Sequence, residues 1–305
     1  MPAFVSHYRF AEAALTQAQP YIVKAVAAAP MAFRWGAQGP DILFYHQPLV
    51  ENRVAQLGHC MHDGRVARTF SVLVSECARR NTPESMAYLM GYCCHYALDS
   101  AAHPFVTYIA NYRLDPLFPQ MTHGALHNLC ESELDRALLA REKRDDGAVF
   151  RADRTLSVDK QTNGEIGALL SHAAWEVYGV RAQPKAIRAS MRSMLRILYL
   201  LHDKSGRRSA AAFWLESRFG NAGAISALFR PTQPLEADCV NRSHQPWIDA
   251  QTPYIRRYTD YFQIFQQAQP DAAKLMEVCY DAVQTGTPLP RALFQLNYLG
   301  LAEDE

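Results

Sequence analysis

The sequence has no apolar run approaching the roughly 18 residues that read as a membrane-crossing helix. Its start does not combine a basic region, an apolar core and a small-residue cleavage site. Together these absences predict a soluble, cytoplasmic protein with no transmembrane segment. An excess of one charge is missing too, since 31 Lys and Arg face 30 Asp and Glu. That balance gives no electrostatic footprint for broad nucleic-acid binding, so no stable nucleic-acid partner is expected. No Lys/Arg block marks a membrane-surface patch either, although a local basic rim is left open. Cysteine is not organised for metal or disulfide work: the seven residues are an odd number without Cys-x2-Cys spacing, and read as buried reduced thiols. Strand alternation, internal repeats and low-complexity tracts are also lacking. What remains is helical periodicity in a chain of 305 residues, 49% of them hydrophobic, enough to bury a sizeable core. The expectation is an all-α multi-helix bundle, one domain spanning 1–305.

The informative stretch is NTPESMAYLMGYCCHYALDSAAHPF, ending at Phe105. Thr82 suits a helix cap, Pro83 the first helical position, and Glu84 a first turn where the dipole favours negative charge. Inside an otherwise apolar helix stand His95, Asp99 and His103, four residues apart. Each step of four advances a helix by about 400° and about 6 Å, so the three form a slowly drifting stripe. His95 and His103, about 12 Å apart, do not easily share an ion. Asp99, with two oxygens, can bridge between sites, and an uncompensated carboxylate in such a helix would be costly. Pro104 is expected to restrict His103 and to kink the helix.

A second stripe follows in THGALHNLCESELDRALL, where His123, His127 and Glu131 repeat the spacing and Leu126, Leu129, Leu134 and Leu138 supply an apolar face. Two consecutive helices that each present imidazole and carboxylate are how helical bundles build metal sites. That donor set fits zinc, with iron or manganese as substitutes. The competing reading is core histidines hydrogen-bonded to acids.

These residues carry a resemblance. AYLMGYCCHYALDSAAHPF followed by HNLCESELD resembles the zinc-dependent phospholipase C family, in which a His-x3-Asp helix precedes a His-x3-Glu helix. His95 with Asp99 and His127 with Glu131 match that pattern. SHYRFAEAAL is similar to the family's first helix and would make His7 a ligand. GAQGPDILFYHQP resembles the segment that would bring Asp41 beside the metals, and LGHCMHDG the segment supplying another histidine, His62 in preference to His59. Two departures stand out. The chain begins Met-Pro-Ala, where secreted members present a processed tryptophan, and His103 follows Asp99 by four residues instead of six. The resemblance implies an all-α bundle of the zinc-dependent phospholipase C type holding two or three Zn2+ ions, with residues 1–145 carrying the metal site and 146–305 completing the bundle. His62, His95 and Asp99 would hold one ion, His7 and Asp99 another, and His127 and Glu131, with His123 or His103, a third. Asp41 would orient or deprotonate the attacking water, or bind metal itself. The implied activity is hydrolysis of a phospholipid or other phosphodiester, metal-activated water attacking phosphorus. A nuclease-like phosphodiesterase and a catalytically silent, metal-stabilised binding protein are the alternatives. Oligomeric state is not legible.

Elsewhere the periodicity predicts helices over about 4–17, after Pro20, over 52–61, 65–79, 157–180, 184–203 and 210–219, and a last helical region over 253–284. Residues 31–48 read as an ordered loop, on whose spacing Asp41 is equally a helix cap. REKRDDG reads as a solvated turn. Trp247 is expected to anchor its segment by packing. Tyr254, Tyr258, Tyr261, Phe262 and Phe265 form an aromatic stripe assigned to the core in preference to a lipid-contacting face, and the tail LAEDE is expected to fray.

Overall fold

A computed structural model describes residues 4–48, 50–142 and 150–303. Its α-helices are α1 Phe4–Leu15, α2 Pro20–Ala28, α3 Pro30–Gly36, α4 Arg53–Asp63, α5 Val66–Arg80 and α6 Pro83–Ile109, then α7 His123–Arg141, α8 Lys160–Tyr178, α9 Pro184–Leu201, α10 Arg207–Arg218, α11 Tyr261–Gln267 and α12 Gln269–Thr285. The fold is all-α. The one sheet among the described residues is a pair of two-residue strands, β1 Trp247–Ile248 and β2 Arg256–Arg257, too short for any alternation to register. No described helix is long and apolar enough to cross a membrane.

Two compact units share the chain. One comprises 7–100, 154–197 and 267–305; the other 1–6, 101–153 and 198–266. In the first, α5 packs on α8 and α12, and α4 on the 3-10 turn Gly39–Tyr45. Phe70 stacks on Phe294 at 4.7 Å, and the buried Trp35 indole donates to the Ser157 carbonyl. In the second, α7 is buried along most of its length, and Ser132 donates to the Ala227 carbonyl. Asp135 accepts the Val5 and Ser6 amides and the Ser6 hydroxyl at 2.9, 2.8 and 2.7 Å, satisfying first-turn donors of α1 as a cap would. Burial pushes that carboxyl up to about 7 against those three bonds.

The cap read from the sequence acts as expected, Thr82 accepting the Ser85 amide, and the structure adds two more, Asn52 accepting the amides of Val54 and Ala55 and Asp159 that of Thr162. Several expectations are corrected. Residues 31–48 are largely helical, as α3 and the following 3-10 turn. Helix α6 continues through Pro104 and ends in a π turn, Ala110–Leu114. Tyr261, Phe262 and Phe265 are buried, but Tyr254 and Tyr258 are exposed and lie outside any helix. The tail is held as far as Glu303, whose carboxylate accepts the Val66 amide at 2.8 Å. All seven cysteines are unpaired thiols, six buried and Cys60 exposed. The solvated-turn reading of REKRDDG falls mainly on 143–149, outside the described residues.

Candidate metal centre

The first group of donors lies in the unit containing residues 7–100. Its geometry is set by a close approach of α3 to α6. A Cβ on Gly91 would collide with the Phe33 carbonyl, so only glycine lets the two backbones meet there. The chain then turns at Gly39, φ +48°, where a side chain would strike the His95 ring. This brings the Ala37 carbonyl to 3.2 Å from His95 Nδ1, and the 3-10 turn carries Asp41.

His62 comes from the end of α4. Its Nδ1 lies 2.7 Å from the Gly58 carbonyl one turn back. In both rings a carbonyl can only accept, so Nδ1 carries the proton and Nε2 presents its lone pair in the neutral imidazole. Those Nε2 atoms point at acids: His62 Nε2 is 3.1 Å from Asp41 Oδ1 and 3.8 Å from Asp99 Oδ2, and His95 Nε2 is 3.1 Å from Asp99 Oδ2. His7 approaches from α1, its Nε2 3.1 Å from Asp99 Oδ1 and its ring stacked on His95 at 4.2 Å. Asp99 is therefore addressed on both oxygens, as a bridging ligand would be.

His95 Nε2 and His7 Nδ1 are buried without a hydrogen-bond partner. Lone pairs facing carboxylate oxygens repel unless a proton or cation lies between them. His7, His95 and Asp99 each offer an atom within 4.8 Å of the others, as do Asp41, His62 and His95. Two donors on one tetrahedral zinc, each at about 2.0–2.2 Å, stand about 3.4 Å apart. The spacing and chemistry of the donors fit that ion. Burial works to raise the Asp41 carboxyl pKa, but its imidazole neighbours His62 and His95 favour the ionised form and leave it lowered.

The second group lies in the other unit. His103 on α6 and His127 on α7 place Nε2 3.6 and 3.4 Å from Glu131 Oε1, and the two rings stack at 5.3 Å. Burial works against ionisation of Glu131, and the neighbouring His127 and His103 favour it. The His127 side chain is 27% exposed, so this group opens to water.

Of the nine residues singled out by sequence, these groups bring together His7, Asp41, His62, His95 and Asp99 in one, and His103, His127 and Glu131 in the other. His123 is exposed and belongs to neither. His59, the competitor of His62, is exposed against Phe44. Pro104 does not displace His103, because α6 carries it inward without a break.

One contributor escaped the sequence reading. The buried Tyr298 ring packs on His62 at 5.1 Å and His95 at 5.7 Å, and its amide donates to the His62 carbonyl at 3.2 Å. Neighbouring bonds from Asn297 Nδ2 to the Asp63 carbonyl, and from the Tyr96 hydroxyl to the Leu296 carbonyl, fasten this strap to α4 and α6. It acts as outer support for two ligand rings. No periodicity or motif in LFQLNYLG signals it.

The family model for zinc dependent phospholipase C matches residues 6–214, more than half of the chain, and the protein belongs to that family. No curated protein and no solved structure matches it.

Proposed function

We propose that the protein is a zinc-dependent phosphoric diester hydrolase of the phospholipase C type, acting on phospholipids or chemically similar diesters. The observation that supports it most is the first donor group, where Nε2 of His7, His62 and His95, the last buried without a hydrogen-bond partner, converge on the carboxylates of Asp41 and Asp99. When bound there, zinc supplies a grip on a phosphate oxygen, a lowered pKa for water and stabilisation of the leaving oxygen.

The chain's own part is orientation and proton handling. Gly58 and Ala37 fix the tautomers of His62 and His95. Asp99 serves two directions, Oδ1 toward His7 and Oδ2 toward His95 and His62. Asp41, kept ionised by its imidazole neighbours, accepts the proton of the water that attacks phosphorus. Two ions are assigned to the first group, and one to His103, His127 and Glu131.

The test is hydrolysis of bis-nitrophenyl phosphate, a nitrophenyl phosphocholine and single-stranded DNA by protein as purified, after chelation, and after return of zinc. We expect turnover of the first two, lost on chelation and restored by zinc. Cleavage of DNA alone would move the substrate class. Inertness toward all three, with chelation lowering only Tm, would reject the enzyme.

A further inference from the structure

The segment 238–259 lies beyond the part of the chain that the family match covers and contributes nothing to either donor group. It is built to hold a tip in water. At its base the buried Asn241 side chain donates to the Gln245 and Thr259 carbonyls and accepts the Gln245 amide. Trp247 is the root: its indole donates to the Thr259 carbonyl and its ring meets Phe105 edge-on at 5.3 Å. The register pairs Trp247 with Arg257 and Ile248 with Arg256. Directly opposed residues share a face, so Trp247 and Arg257 occupy one side and Ile248 and Arg256 the other.

Beyond this anchored base several apolar and aromatic side chains stand exposed. Tyr254 at the tip is 98% exposed, and Ile255, Tyr258 and Ile248 are 56, 53 and 38% exposed. Tyr112, 68% exposed, stacks near the base through Tyr108. Single exposed apolar residues need no explanation, but several gathered on one short hairpin do. The hairpin itself leans positive: Arg257 and Asp249 pair at 3.0 Å, Asp249 also accepts the Gln251 amide, and Arg242 and Arg256 are left in excess over 242–258, with Asp260 following and taken up by the Gln263 amide. Asp238, just before, is consumed by the amides of Arg242 and Ser243.

Tyrosines with an aliphatic residue at a tip, flanked by arginines, match a bilayer surface. Tyrosine suits the headgroup level, isoleucine the acyl boundary, and guanidinium the lipid phosphates. We infer that the Trp247–Arg257 hairpin docks the protein on an anionic phospholipid bilayer. The hydrolase reading gives this its consequence, substrate taken from a membrane, but binding is measurable without turnover.

The experiment is co-sedimentation of the full chain, zinc-loaded, with vesicles of phosphatidylcholine alone and of phosphatidylcholine with phosphatidylserine. Hydrolysis of soluble bis-nitrophenyl phosphate is followed alongside. We expect binding to the mixed vesicles, reduced about tenfold in the double variant Tyr254→Ala, Ile255→Ala. Arg256→Ala should weaken binding about fivefold on mixed vesicles and leave binding to neutral ones unchanged. Both variants should keep the wild-type rate on the soluble ester. Absence of vesicle binding, or equal binding by the double variant, overturns the inference. So does tip-dependent binding of single-stranded DNA without vesicle binding. If no ester is hydrolysed but tip-dependent vesicle binding holds, the hydrolase reading fails and the docking surface stands.

Discussion

The two donor groups are made from the same residue types at the same helical spacing, yet they differ in how firmly they are built. In the first, Asp41, Asp99 and three imidazoles come from four elements, two rings are fixed by backbone carbonyls, and Tyr298 packs behind them. The second has three donors from two helices and opens to water at His127. A stripe of His and acid on a helix is thus a beginning, and affinity depends on what lies behind the ligands. The first group is predicted to hold zinc more tightly, and stepwise chelation should empty the second first.

Substitutions can break this contrast. Asp99→Ala removes the acid addressed by three imidazoles and should cost on the order of 10³-fold in turnover together with the zinc of the first group. Full zinc content with undiminished turnover would reject the shared site. Glu131→Ala should release the zinc of the second group alone, with a smaller fall, on the order of 10²-fold, read by elemental analysis beside the rate. Tyr298→Ala should weaken zinc binding about 10- to 100-fold in chelator competition, whereas Tyr298→Phe, which keeps ring and amide, stays near wild type. Equal behaviour of the two Tyr298 variants would remove the strap from the site.

A further effect concerns Asp135, one turn beyond Glu131 on α7 and bonded to Ser6. Its pKa is about 7 folded against 3.8 as the ordinary value, so the folded state holds the extra proton between those limits. Stability from this group is fully present below about pH 4, falls as pH rises to about 7, and changes no further. Wild type should therefore lose up to about 4 kcal/mol relative to Asp135→Asn between pH 4 and 8, measured by urea unfolding. A difference that moves the other way contradicts the assignment.

Much of this was legible in the sequence. The all-α fold follows from helical periodicity and from a cap, Thr82, that behaves locally. His95, Asp99, His103, His127 and Glu131 fall into the two groups because four-residue spacing on a helix survives folding unchanged, whereas His7, Asp41 and His62 were reached only through the family resemblance. What stayed hidden depends on contacts distant in sequence. His59 and His62 sit nearly one turn apart on α4, Phe44 packs on both rings, and only the approach of Asp41 to His62 distinguishes them. Periodicity cannot report that Tyr298 reaches His62 across more than 200 residues. The aromatic stripe misled because composition does not reveal the hairpin that turns Tyr254 outward while Tyr261 goes in.

Anomalous scattering at the zinc edge from crystals of the zinc-loaded protein tests the metal assignment most directly. We expect peaks about 2.0–2.2 Å from Nε2 of His62 and His95, from the His7 imidazole with Asp99, and from His103, His127 and Glu131. Maps without zinc at these side chains, from protein that hydrolyses its substrate at full rate, would contradict it.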